Sequence, residues 1–227
     1  MKLNSIYNKF KAFTLAEVLL VVAIIGITAA IALPNLSQSV DEDKYVMLAK
    51  TTYNELDSGF TRMLTNKSLD EIYDDANATT YSAKSKAVVD ELSKYIKMGT
   101  NCGNNITQCH NSSKKYVEYN GSSIDDKTFG ASFSNSAAFT LPSGAVVVYL
   151  PETHVYFDVD GVKGPSKKGI DIFDAIINED GLGTITYNDT EGVMAPEYDI
   201  LNWVLSIGNM DYLHCNDLNW STKHQCD

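Results

Sequence analysis

The sequence predicts an α+β protein: one long N-terminal helix, apolar in its first half, packed on an antiparallel β-sheet head with a disulfide-bounded C-terminal region. Three observations predict it. Residues 18–40 carry no charge, whereas the chain from Asp41 onward is polar, acidic and rich in Asn, Ser, Thr and Tyr. Past Asp41 the apolar residues recur at a spacing of three and four as far as Met63, the period of an amphipathic helix. From Lys115 the period becomes that of strands, punctuated by Gly, Pro and Asp turns.

Taken in chain order, the first twelve residues hold Lys2, Lys9 and Lys11 and no acid. The apolar run 18–33 follows, with Glu17 at its edge and Gly26 and Pro34 within or just beyond it. Val46, Ala49, Tyr53, Leu56, Phe60 and Met63 then mark one face, while Asp43, Lys50, Asn54, Asp57 and Arg62 mark the other. One helix over 13–64, loosened at Pro34, accounts for both segments; at 1.5 Å per residue it is about 78 Å long. Residues 65–81 read as irregular, with acidic residues between Asp70 and Asp75. A second amphipathic helix is predicted over 82–98, with Val88, Leu92, Tyr95 and Ile96 inward and Gly99 as its terminator. Strands are predicted over 115–119, 128–133, 137–141, 145–150, 155–159, 172–177 and 184–187, with Pro142-Ser143-Gly144 as a hairpin turn. The tail from Tyr198 carries Trp203, Trp220 and two of the four cysteines.

The chain of 227 residues suffices for one sizeable domain plus an appendage. Its formal net charge is −11. Of 18 basic residues three lie in the first twelve positions, so the rest of the chain holds 15 against 29 acidic residues. Such a domain repels phosphate backbones, which argues against nucleic acid as a partner. There is no phosphate-cradling or dinucleotide-binding glycine loop, no Gly-x-Ser-x-Gly elbow and no His-Glu-x-x-His.

Glu17 discriminates between readings of the N-terminal segment. A secretory signal explains the basic start, and Ala30-Ile31-Ala32 supplies a small-x-small cleavage site after Ala32. A plain membrane anchor explains the apolar length, about 20 residues being enough to span a bilayer, and the lysines place its N-terminus in the cytoplasm. Neither uses a carboxylate, which costs roughly 2.5–3.5 kcal/mol at the centre of a bilayer helix. A cut between Ala12 and Phe13 does. It removes the basic leader 1–12, keeps the apolar helix, and leaves a positive amine on Phe13 one turn from Glu17. With a one-step stagger between packed subunits, Glu17 of one subunit neutralises the Phe13 amine of the next and sets their register.

Lys11-Ala12-Phe13-Thr14-Leu15-Ala16-Glu17 resembles the prepilin cleavage and methylation motif of type IV pilins and type II secretion pseudopilins. In that family the cut precedes a Phe that becomes N-methylated, and a glutamate is fifth in the mature chain; Phe13 and Glu17 fit those places. Gly26 and Pro34 match the glycine and proline that the family favours farther along the helix. The residue before the cut is usually Gly in the family and is Ala12 here. In the head, "FTLPSGAVVVY" and "VYFDVDGVKGPSKKGIDIF" resemble the strand, Asp-Val-Asn-Gly, Gly-Pro-Asn and Gly-x-Asp-x-Phe run of some prepilin-type proteins, with Asp160 and Ser166 in place of the two Asn. The resemblance implies a pilin-like lollipop with a leader at 1–12, a membrane and filament-core helix at 13–40, and a head at 41–227. It implies a single-pass protein of the bacterial inner membrane, N-terminus cytoplasmic, that later enters an extracytoplasmic or cell-surface filament. The implied partners are sister subunits, a prepilin peptidase that also methylates, and an inner-membrane assembly platform. No catalysis is implied.

Two constellations carry possible metal chemistry. Asp158-Val159-Asp160-Gly161 with Asp171 downstream offers hard oxygen ligands around a tight turn, the chemistry calcium takes. It is not an EF-hand, because Gly169 stands where the bidentate Glu belongs. Capping of a β-turn by the same aspartates is the plain alternative. His214, Cys215, His224 and Cys226 have the ligand types of a zinc site, but their spacing is irregular, and an exported chain with an even cysteine count favours disulfides. Cys102–Cys109 with Cys215–Cys226 is the simplest of three connectivities; the second pair resembles the disulfide-bounded loop near the end of many type IV pilins. The expected function is that of a structural subunit, pilin or pseudopilin, of a type IV pilus or a type II secretion pseudopilus. The alternatives are an exported soluble binding protein cut after Ala32 and a membrane-tethered enzyme with an acidic metal site.

Overall fold

The computed structural model describes residues 14–109, 116–119, 123–124, 135–151, 154–161, 163, 166–187, 192–196 and 198–227, with backbone alone at 29–40, 116 and 123–124. The chain divides into two compact units, Met1–Asp41 and Glu42–Asp227. Helix α1 (Leu15–Asn66) begins in the first unit and supplies the first element of the second. Its backbone is helical through Pro34, so the expected loosening there is not seen. A proline removes one hydrogen bond from a helix, and the neighbouring bonds carry the helix past it.

In the first unit the described side chains are apolar on every side. Leu15, Val18, Leu19, Leu20, Val21, Val22, Ile24, Ile25 and Ile27 are all at least half exposed. No stripe distinguishes one face from another, the pattern of a helix meant to be surrounded.

In the second unit α1 becomes one-sided. Val46, Ala49, Leu56, Phe60 and Met63 are buried and form part of the core. Helices α2 (Leu69–Asp75) and α3 (Tyr81–Leu92) follow. The segment expected to be irregular thus contains a helix, and the acidic residues are its body. Ser68 accepts a hydrogen bond from the Glu71 N–H while Glu71 reaches back to the Ser68 N–H, a capping box. Helix α3 stops at Leu92, earlier than the periodicity suggested. Gly99 is instead a close-approach position: its N–H donates to Thr140 O at 2.7 Å, leaving no room for a side chain.

A six-stranded antiparallel sheet follows, in the order β1-β4-β5-β6-β7-β8. Its strands are β1 (Asn101–Gly103), β4 (Ala137–Thr140), β5 (Val146–Tyr149), β6 (His154–Asp158), β7 (Ile172–Asn178) and β8 (Gly181–Gly183). A separate pair joins β2 (Tyr116–Val117) to β3 (Ser123–Ile124). The expected strand at 128–133 lies outside the described residues. The strand expected at 184–187 is displaced to β8, directly after the Asp180 turn, and β1 occupies the start of the cysteine loop. The tail forms α4 (Ile200–Ser206) and a 3-10 turn (Asp211–Leu213).

Both faces of the sheet are covered. Phe139, Val147, Tyr149, Phe157 and Phe173 point into the core with α1 and α3. Their neighbours Ala138, Val146, Val148 and Ile172 point the other way, onto Cys102, Ile106 and Cys109. Strand β5 therefore reads as an unbroken apolar run. Along its outer side α1 also holds β8: Asp57 Oδ1 accepts the Leu182 N–H and the Tyr53 hydroxyl donates to Leu182 O, both at 2.9 Å.

Because Leu56 is fully buried in this stripe, Leu56→Ala is expected to lower stability by about 2–5 kcal/mol. Thr51→Ala, on the exposed face, is expected to stay within about 0.5 kcal/mol. Denaturant melts of the full chain in detergent micelles check both.

Candidate functional site

Two places in the chain carry the residues singled out by sequence. At the N-terminus, Ala12 and Phe13 lie outside the described residues. Glu17 lies in the first turn of α1, where its Oε2 accepts the Thr14 N–H at 2.8 Å and the Thr14 hydroxyl at 2.9 Å. Thr14 Oγ1 in turn accepts the Glu17 N–H at 3.2 Å. This reciprocal pair is a capping box. Glu17 thus has a local role that the sequence reading did not assign, although the Thr-x-x-Glu spacing announced it. Gly26 lies in the exposed apolar stretch with open space where a Cβ would stand. Pro34 lies within α1. Among the described residues no helix is long and apolar enough to cross a membrane. The described side chains of the apolar run end at Thr28, short of the about 20 residues a span needs.

In the head, the structure brings Asp158, Asp160 and Asp171 together: one carboxylate oxygen from each lies within 4.8 Å of the others. Oxygens bound to one calcium ion at about 2.3–2.6 Å are at most about 5 Å apart, so the spacing meets that condition. Asp158 ends β6 and Asp171 precedes β7, and both are buried. Asp158 Oδ1 accepts the Gly161 N–H at 2.8 Å. Asp171 accepts the Ser166 N–H on Oδ2 and the Lys167 N–H on Oδ1, each at 2.7 Å. These are the turn-capping bonds of the plain alternative, and they coexist with the convergence of the three groups.

Neighbouring elements hold the loop in place. Gly161 has a φ of +69°, and a Cβ there would run into Gly144 O in the β4–β5 turn. Val117 of β2 donates to Ser166 O at 3.0 Å and accepts from the Lys168 N–H at 2.9 Å. From α1, the Tyr45 hydroxyl donates to Asp160 Oδ2 at 3.2 Å. Asp160 Oδ1 and Ser166 Oγ are buried oxygens that make no hydrogen bond. Unsatisfied buried polar atoms are rare and costly, and a bound cation is one way to satisfy such an oxygen. The donor set is oxygen only, which suits a hard cation such as calcium and not zinc or copper. Tyr45 is separated from Asp160 by 115 residues, and no local sequence signal pointed to it.

The histidine–cysteine cluster is not a zinc site. Cys215 is bonded to Cys226, and Cys102 to Cys109. His214 Nε2 lies 3.0 Å from Glu42 Oε1 on α1, and His224 Nε2 lies 2.9 Å from Trp220 O. With their sulfurs joined, the cysteines have no thiolates to offer a metal.

Compared with known families, residues 7–33 match the model of the prokaryotic N-terminal methylation motif. That is the prepilin motif of type IV pilins and pseudopilins. No curated protein and no solved structure matches the chain.

The disulfide assignment is checked by thiol labelling of the unfolded, unreduced protein. No free thiol is expected; two or four would return the cysteines to contention as ligands.

Proposed function

We propose that the chain is a structural subunit, pilin or pseudopilin, of a type IV pilus or a type II secretion pseudopilus. The observation that carries this reading is the methylation motif at residues 7–33. Its position supports the same reading, because the motif leads into a helix whose described side chains are apolar and exposed all round. Lipid covers such a surface before assembly, and sister helices cover it afterwards. A prepilin peptidase removes residues 1–12 and methylates the Phe13 amine, and an inner-membrane platform draws the helix at 13–40 into the filament. The head at 41–227 stays outside the cytoplasm, where its disulfides persist. The protein acts by assembly and not by catalysis. The rival readings, a soluble protein cut after Ala32 and a tethered enzyme, leave the motif unused.

In this proposal the head also holds calcium on Asp158, Asp160 and Asp171. The short span of their oxygens and the unsatisfied Asp160 Oδ1 support it. The ion would neutralise three converging carboxylates and fix the β6–β7 connection.

Mass spectrometry of a membrane fraction is expected to yield a mature N-terminus at N-methylated Phe13. A start at Leu33 would instead mark a secreted soluble protein. Glu17 is tested by replacement with glutamine, which keeps a capping residue at its place but removes the charge. Glu17→Gln is expected to leave membrane insertion intact and cut filament yield by about tenfold or more, a loss of about 1.4 kcal/mol per tenfold. Filaments at normal yield would reduce Glu17 to a helix cap.

A further inference from the structure

The cation reading of the head leaves two residues to be explained. Ser166 is fully buried, its hydroxyl makes no hydrogen bond, and its own N–H is bonded to Asp171 Oδ2. That bond places the Ser166 backbone against the Asp171 carboxylate, with the hydroxyl three covalent bonds from the same nitrogen. Tyr45 lies in the first turns of α1 within the second unit and binds Asp160 through Oδ2. The other oxygen of Asp160, Oδ1, is the buried one with no hydrogen bond. Asp160 thus binds α1 through one oxygen, keeps the other buried, and contributes one of the three converging carboxylates.

We propose that Ser166 Oγ is a fourth protein ligand for a divalent cation held by Asp158, Asp160 and Asp171, and that Tyr45 transmits occupancy of this site to α1. The inference rests on the cation reading given under the proposed function. Calcium takes six to eight oxygens, and a neutral hydroxyl adds a donor without adding charge to three carboxylates. A cation on Asp160 Oδ1 fixes the plane of that carboxylate, and with it the direction in which Oδ2 accepts from Tyr45. Tyr45 is then a positioning residue, of the outer kind whose loss costs a metal site affinity although it never touches the ion. The same turn of α1 is tied a second time by Glu42 to His214. Occupancy therefore tightens the stretch of α1 that opens the head.

The test uses the full chain in detergent micelles, stripped with chelator and titrated with calcium, with magnesium as the comparison. Calorimetry reads binding, and hydrogen exchange read by mass spectrometry follows the peptide spanning 42–50. Calcium is expected to bind the wild type and slow exchange in that peptide. Ser166→Ala and Tyr45→Phe are each expected to weaken calcium binding by about tenfold. At saturating calcium, Tyr45→Phe is expected to leave exchange of 42–50 unchanged by the ion. Binding with no response in 42–50 of the wild type overturns the coupling while the cation reading stands. Unaltered affinity in Ser166→Ala removes Ser166 as a ligand. Absence of any calcium binding to the wild type overturns the cation reading and this inference with it.

Discussion

The packing of a single stripe of α1, from Val46 to Met63, against one face of the sheet is the constraint on which the head depends. A helix can bury only about a third of its circumference against a flat layer, so every other residue of this stretch must tolerate water or find a polar partner. Asp57, Tyr53 and Tyr45 do the latter: the first two hold Leu182 of β8, and the third reaches Asp160 beyond β6. Earlier in the same helix the apolar residues occupy all sides, and no single layer could cover them. The helical geometry is the same in both stretches. Composition alone decides that one stretch folds into a domain and the other leaves its apolar surface exposed.

The second layer of organisation is the sheet, covered on both sides. With α1 and α3 on one face and the short disulfide loop on the other, the strands are apolar at successive positions. A buried sheet of this kind is a rigid base, and the carboxylate cluster is mounted at its rim. Asp158 and Asp171 are anchored by the ends of two paired strands, while the turn between β4 and β5 and the strand β2 press on the connection from either side. The three charges converge because the strand ends do, not because the loop is short.

Much of this was legible in the sequence. The stripe on α1, the hairpin at Pro142-Ser143-Gly144 and the core strands β4 to β7 follow from periodicity and turn chemistry, which are local. The elements that were missed or misplaced depend on tertiary context. Helix α2 is short, and its acidic body hid a capping box. Strands β1 and β8 have three residues each, too few to show a period. Of the carboxylate site, Asp158, Asp160 and Asp171 were legible from the tight Asp-x-Asp-Gly turn. Ser166 and Tyr45 were not assigned to it, since one is placed by a left-handed backbone at φ 53° and the other arrives from a distant helix. At His214, Cys215, His224 and Cys226 the sequence already favoured disulfides over zinc, and residue types suited to a metal are there consumed by a disulfide and by separate hydrogen bonds.

The bonds from α1 to Leu182 bear on how such heads can meet. A strand at the border of a sheet offers its free N–H and C=O groups to any extended segment that comes alongside, and that is the usual route to uncontrolled growth of β structure. At Leu182 both groups are already taken, by Asp57 and Tyr53. A second molecule cannot add a strand there without first displacing two side chains of the helix. The border at Leu182 is closed from within the chain, so an extended segment of another molecule finds no unoccupied backbone pair there.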